Sequence, residues 1–342
     1  MKKRSSSLVV YVLALTLVMY NCKKDEPFPT EPDSELVDEI NAITVTPITL
    51  TQPAAVTTTP STITASAKAT EVAGAMGSLS SGTVPASVNT AAGEVTAALT
   101  PAEVTTLSTV TPATIAAVAA GGALPAELQT VMTKVAADPA LAQYLPQFTL
   151  PTVNGAPVGG RSGAVEGIEE VEGVLVEDAC VQAAAAVYEA VKVKLDAAKA
   201  AEDAKVAAAY SAAIAPLAAE QTSCASGIPA KYAALRAAGQ AQAAQAMADI
   251  DAAQAVIPAA LYPVLKALVN IQLLGYLTSL NTLQAADVAA CAATLTAKTA
   301  AAAAARDADL AASTAAYQTA LAAAQAKRIE LGESCHNQGG GN

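Results

Sequence analysis

The chain has 342 residues, with 30 Asp and Glu against 19 Lys and Arg and a net charge of −11. An acidic chain with no basic tract is poorly suited to nucleic acid or anionic lipid, because binding either depends on neutralising phosphate with Lys and Arg. With no Trp and only two Phe, stacking platforms for sugars or bases are scarce, which counts against a glycan-binding surface.

Residues 1–26 read MKKRSSSLVVYVLALTLVMYNCKKDE. A basic start (Lys2, Lys3, Arg4) leads into an apolar run from Leu8 to Tyr20, followed by Cys22 and Lys23-Lys24-Asp25-Glu26. The run has the length of a signal-peptide core and is too short to cross a bilayer comfortably. This pattern resembles a bacterial lipoprotein signal of the Bacteroidetes type, although Tyr20-Asn21 departs from the usual small residues before the cysteine. The resemblance covers residues 1–26 only. It implies a signal peptide over 1–21 and a diacylglycerol-bearing, palmitoylated Cys22. Lys24-Asp25-Glu26 resembles an export signal for the outer face of the outer membrane. The partner implied is therefore the lipid bilayer, reached through acyl chains that each contribute about 0.8 kcal/mol per buried methylene. Cleavage removes three of the bases, leaving 16 against 30 acids, a net charge of −14.

Residues 23–43 are acidic and Pro-containing, and are expected to form a solvated tether. From Ala42 to Gly122 the chain is dominated by Thr, Ala, Val, Ser and Pro. Residues 46–66 read as extended or disordered, since Pro and β-branched residues oppose helix without a clean strand alternation. Thr100-Pro101 and Thr111-Pro112 look like helix starts with Pro at the first helical position. Short helices are expected near 101–109, 112–120, 125–137 and 139–145, before a Pro/Gly loop over 146–163.

Residues 180–222 contain no Gly and one Pro, with Tyr188, Val191, Leu195, Val206, Tyr210, Ile214 and Leu217 at helical intervals. Residues 287–331 contain neither Gly nor Pro and carry Leu310, Tyr317 and Leu321 at spacings of seven and four. Each stretch predicts a helix of roughly 65 Å. Residues 229–255 and 258–283 read as two shorter helices.

The four remaining cysteines, an even number, imply disulfides in an exported chain. Cys180 to Cys224 and Cys291 to Cys335 both span 44 residues. A bridge along one straight helix would have to cover over ~60 Å, against the roughly 6 Å between Cα atoms that a disulfide tolerates. Antiparallel long helices would pair Cys180 with Cys335 and Cys224 with Cys291. The competing pairing, Cys180 with Cys224 and Cys291 with Cys335, needs turns near Glu202-Asp203 and Arg306-Asp307, where no Gly or Pro stands. The cross-bridged version is preferred. The fold class expected is all-α: long antiparallel Ala-rich helices in an up-down four-helix bundle, stapled by disulfides. A Thr/Pro/Ala-rich low-complexity region with short helices precedes it. The corresponding segments are 1–21 (signal), 22–100 (tether and low-complexity region), 101–163 (short helices and loop), 164–335 (helical domain) and 336–342 (tail).

Chemistry-bearing patterns are few. His336 is the sole histidine, beside Cys335 in a Gly-rich tail, so a zinc or His-dependent catalytic site is not expected. The acidic run Glu166, Glu169, Glu170, Glu172, Glu177 and Asp178 lacks the spacing of a calcium loop and reads as helix-dipole and cap chemistry. Thr294, Thr296, Thr299, Thr314 and Thr319 lack the strict repeat of an ice-binding face. Residues 252–286 carry Lys266 as their only charge and form the most apolar stretch of the mature chain. They read as a core helix, or alternatively as a hairpin that enters a membrane or grips an apolar ligand. No cofactor, metal or enzymatic activity is expected. The function expected is a non-enzymatic structural or interaction module on the cell surface, meeting a protein or surface partner there.

Overall fold

The computed structural model describes residues 31–158 and 179–337. The signal, Cys22, the acidic run at 166–178 and the tail from 338 lie outside the described residues. So does the side chain of His336.

The chain divides into two compact units, each assembled from separated segments: 1–52, 163–212 and 303–342 form the first, and 53–162 and 213–302 the second. Long helices dominate both. They are α7 (Ala179–Ile214), α8 (Leu217–Ala253) and α9 (Leu261–Asn337), preceded by α1 (Ser34–Asn41), α2 (Ala67–Met76), α3 (Ala86–Ala98), α4 (Pro101–Ser108), α5 (Pro112–Ala119) and α6 (Ala126–Ala137). The protein is thus an all-α chain of long antiparallel Ala-rich helices stapled by two disulfides.

In the first unit, α7 runs antiparallel to residues 303–337 of α9. Cys180 is bonded to Cys335 with Cα atoms 5.8 Å apart, Arg328 lies over the Tyr188 ring, and Ser313 donates to Asp203 at 2.7 Å. The seam repeats at spacings of four, three and four through Ala184, Tyr188, Val191 and Leu195, against Ala320, Ala324 and Leu331, as knobs-into-holes packing requires. Residues 33–43, expected as part of a solvated tether, are instead packed onto this unit. Asp33 caps α1 by accepting from the Glu35 and Leu36 amides, and Ile40 is fully buried against the seam. Leu36, Val37, Ile40 and Ile43 form an apolar stripe that the acidic composition conceals. The following segment stays extended. Its Val45 is buried, and the Thr51 amide donates to both oxygens of buried Asp309 at 3.0 and 3.1 Å.

In the second unit, α8 runs antiparallel to residues 261–302 of α9. Cys224 is bonded to Cys291 at a Cα separation of 5.9 Å, and Arg236 donates to Asn281 and Gln284 at 2.7 and 2.6 Å. Helices α2–α6 wrap the same pair. Met76, Leu79, Val95, Leu107 and Val135 share one core with Ile250, Leu265, Leu268, Ile271 and Leu274. The Thr/Ala-rich stretch is therefore helical over 67–76 and 86–98 and contributes to a core, and the breaks between the two units fall after 52, 162, 212 and 302. Thr100 closes a capping box with Glu103 and Thr111 caps α5, both with Pro at the first helical position. Short strands tie 58–64 to 147–157: β1 (Thr58–Thr59), β2 (Thr62–Thr64), β3 (Gln147–Thr149), β4 (Thr152–Val153) and β5 (Ala156–Pro157). β2 pairs with β3, and β1 and β5 flank β4. Asn154-Gly155, both at positive φ, supply the tight β4–β5 turn.

The long-helix boundaries differ from those read in the sequence, and the helix expected from 229 begins at Leu217. The helices expected at 258–283 and 287–331 are one, α9, because residues 284–286 (Gln-Ala-Ala) offer no break. The first long helix stops at Ile214 rather than 222. Pro216 has no amide to continue the ladder, and its ring clashes with the carbonyl four residues back. Pro229, in contrast, lies inside α8, where Ile228 and Tyr232 pack against Leu280, Leu283 and Cys291.

Candidate ligand-binding cavity

The apolar stretch at 252–286 is core rather than surface. Leu268 and Leu274 are fully buried, as are Leu265, Ile271, Leu277 and Leu280. The α8 residues that line the space beside it, Ala238, Gly239, Gln242, Ala243 and Ala246, are small apart from Gln242. Large side chains opposite small ones leave space, and the second unit holds two cavities along this seam.

The tighter one is about 260 Å³. α2 contributes Ala69 and Thr70, the segment after α6 contributes Tyr144 and Pro146, and α8 contributes Gln242. α9 supplies Val269, Gln272 and Tyr276. None of its lining residues is ionisable except the two tyrosines. The Tyr144 hydroxyl donates to Glu94 at 2.5 Å; that bond, with Lys68, holds the carboxylate below its ordinary value against burial, while burial first and then Glu94 push the phenol up. The Tyr276 hydroxyl has no hydrogen-bond partner among the described residues, and burial raises its pKa, so it stays a neutral donor. Gln272 Nε2 is buried with no partner. An unpaired buried donor costs about 1–3 kcal/mol, and a leucine at this helix position would avoid the cost.

The second cavity, about 570 Å³, lies beside the α4–α5 connection and is lined by Val110, Ile115, Met247, Lys266 and Asn270 among others. Asn270 is 2 % exposed; its Nδ2 donates to the Leu107 carbonyl at 2.7 Å while Oδ1 is unpaired. Lys266 is held by Asp251 and the Tyr262 hydroxyl.

A buried polar cluster stands further along the pair. The Tyr232 hydroxyl donates to Asp287 Oδ2 at 2.8 Å, Lys231 does so at 2.9 Å, and Ser61 Oγ lies 2.9 Å from the same hydroxyl. Burial raises the Asp287 pKa, but the Lys231 ammonium and the Ser61 and Tyr232 hydroxyls outweigh it, leaving the carboxyl below its ordinary value. The cluster fixes the strand connection to the helices, with Ser61 buried.

Of the residues singled out in the sequence, the four cysteines are joined in the cross-bridged pairing. Thr294, Thr296, Thr299 and Thr319 bond back to the carbonyls four residues earlier. Nothing in the sequence joins Gln272, Asn270, Tyr276 and Gly239 into a site. The available signal was two amides inside the most apolar stretch and a glycine in an otherwise alanine-rich helix. No protein-family model, curated protein or solved structure matches this chain.

Proposed function

We propose that the protein is an exported, lipid-anchored, non-enzymatic binding module, held at the outer membrane through an acylated Cys22 and facing the cell exterior. The observation that carries the reading is the pair of disulfides, which join segments 155 and 67 residues apart. Such structural bonds persist in oxidising compartments outside the cytosol. The basic start, apolar run and Cys22 point to the same place. The absence of a second histidine and the commitment of the buried carboxylates to structural partners support a non-catalytic body.

Growth with a clickable palmitate analogue tests the anchor. Label on the wild type and none on Cys22→Ala, with release of the variant from the membrane fraction, supports it; equal labelling of both refutes it. Turnover in a broad hydrolase screen would refute the non-enzymatic reading.

A second reading, an apolar-ligand carrier using residues 252–286, is favoured by the cavities beside α9. Its membrane-active form is disfavoured because the apolar side chains that would meet lipid are the core of the second unit. One described helix, α9, is long and apolar enough to cross a membrane by length and composition. Leakage from liposomes on adding the full chain would revive that form.

A further inference from the structure

The 260 Å³ cavity has about nine water volumes of room at ~30 Å³ each, space for a molecule of about nine or ten non-hydrogen atoms. Its walls are apolar and aromatic, with two phenol rings, Pro146, Val269 and Leu273, so an apolar planar body finds ring faces and edges to meet. No Asp, Glu, Lys or Arg lines it, so a charged ligand would lose its hydration without compensation. The polar groups left over are complementary in kind. Tyr276 offers a hydroxyl with no partner among the described residues, and the Gln272 carboxamide has a buried, unpaired Nε2. Turning that amide about its last torsion exchanges the donor and acceptor it presents.

We propose that this cavity binds a small neutral aromatic molecule bearing one hydrogen-bond donor and one acceptor, such as an aromatic amide or alcohol. Tyr276 donates to the acceptor of the ligand, Gln272 satisfies the donor, and the rings enclose the apolar body. Gly239 makes the site possible, because the absence of its side chain lets the Tyr276 ring lie against α8. The proposal rests on the binding-module reading of the body and is independent of the anchor, so the palmitate experiment and this one fail separately.

The test is saturation-transfer NMR on the full chain with benzamide and benzyl alcohol as neutral probes and benzoate as the charged one. The neutral probes are expected to bind, with benzoate at least about tenfold weaker. Tyr276→Phe and Gln272→Leu are each expected to weaken benzamide by about five- to tenfold. Ala238→Phe, at an exposed position on the cavity wall, is expected to abolish binding without a burial change in the core. Failure of both neutral probes to bind, equal binding of benzoate and benzamide, or unaltered binding to Ala238→Phe would each overturn the proposal.

Discussion

The Tyr276 ring occupies the space that a side chain at position 239 would need: a Cβ built on Gly239 would lie 2.6 Å from Cε1 and 2.7 Å from Cδ1. Replacing a helical Gly by Ala ordinarily stabilises by about 0.8–1 kcal/mol. Here overpacking, at about 1–3 kcal/mol, opposes that gain. Gly239→Ala should therefore destabilise by about 1 kcal/mol in guanidinium melts. In a Tyr276→Leu background the same substitution should stabilise. If the sign stays the same in both backgrounds, the ring is not what makes the glycine necessary.

The disulfides are nested, with Cys224–Cys291 inside the loop closed by Cys180–Cys335. Once the inner bond is present, the outer one constrains an effective loop of fewer than 100 residues. Loop-closure entropy then assigns each about 4 kcal/mol or somewhat more, and measured losses run about 2–5 kcal/mol. Alanine seams bury little area per residue, so the bonds carry an unusual share of the stability. Cys224→Ala/Cys291→Ala should melt at markedly lower denaturant under non-reducing conditions. Peptide mapping should recover Cys180 joined to Cys335, and a Cys180–Cys224 peptide would contradict the structure.

Asp287 links stability to pH. Its folded pKa is depressed below the ordinary 3.8, so the native state favours the carboxylate more than the unfolded chain does. That contribution is fully present above about pH 4, and is lost as pH falls through the folded pKa. Asp287→Asn keeps the shape but removes the charge facing Lys231. The variant should be less stable at pH 7 and show a shallower loss between pH 4 and 2, read by urea melts across that range. Parallel pH profiles for the two proteins would mean the Lys231–Tyr232–Asp287 cluster contributes nothing.

Burying a charge separates core from membrane-facing surface. Leu268→Asp and Leu274→Asp each place a carboxylate at a fully buried position, at a cost of more than about 4 kcal/mol. Loss of the cooperative circular-dichroism transition is expected in both. Folded variants with altered liposome leakage would instead favour the membrane-active reading.

Local chemistry was the part of this fold that the sequence exposes. Thr100-Pro101 and Thr111-Pro112 mark α4 and α5 because capping needs only neighbouring residues. The cysteine spacing limits pairing because a helix is too long to bridge end to end. The cavity is different in kind. Gly239 and Tyr276 meet across two helices, and the alanine-rich α8 carries no apolar stripe strong enough to set the register from composition alone. The core role of Val72, Met76 and Val95 was hidden for a related reason: their short helices are mostly Ala and Thr, and look featureless until α8 and α9 are beside them.

The same concealment affects residues 31–52, whose acidic and Thr/Pro-rich composition suggests a free tether. Ile40 is fully buried among Tyr188, Leu195 and Leu331 of the first unit. The Thr51 amide spends its hydrogen bond on Asp309, which is 4 % exposed. Ile40→Ala should cost about 2–5 kcal/mol, and Asp309→Ala, which strands the Thr51 amide, about 1–3 kcal/mol. Either change should also open residues 42–57 to protease while the helices remain intact. A chain lacking residues 31–52 that melts like the wild type would show that the segment is only resting there. A lowered melt would make residues 31–52 part of the folded unit, so that under the proposed Cys22 anchor only the residues between Cys22 and Asp33 are left to reach the membrane.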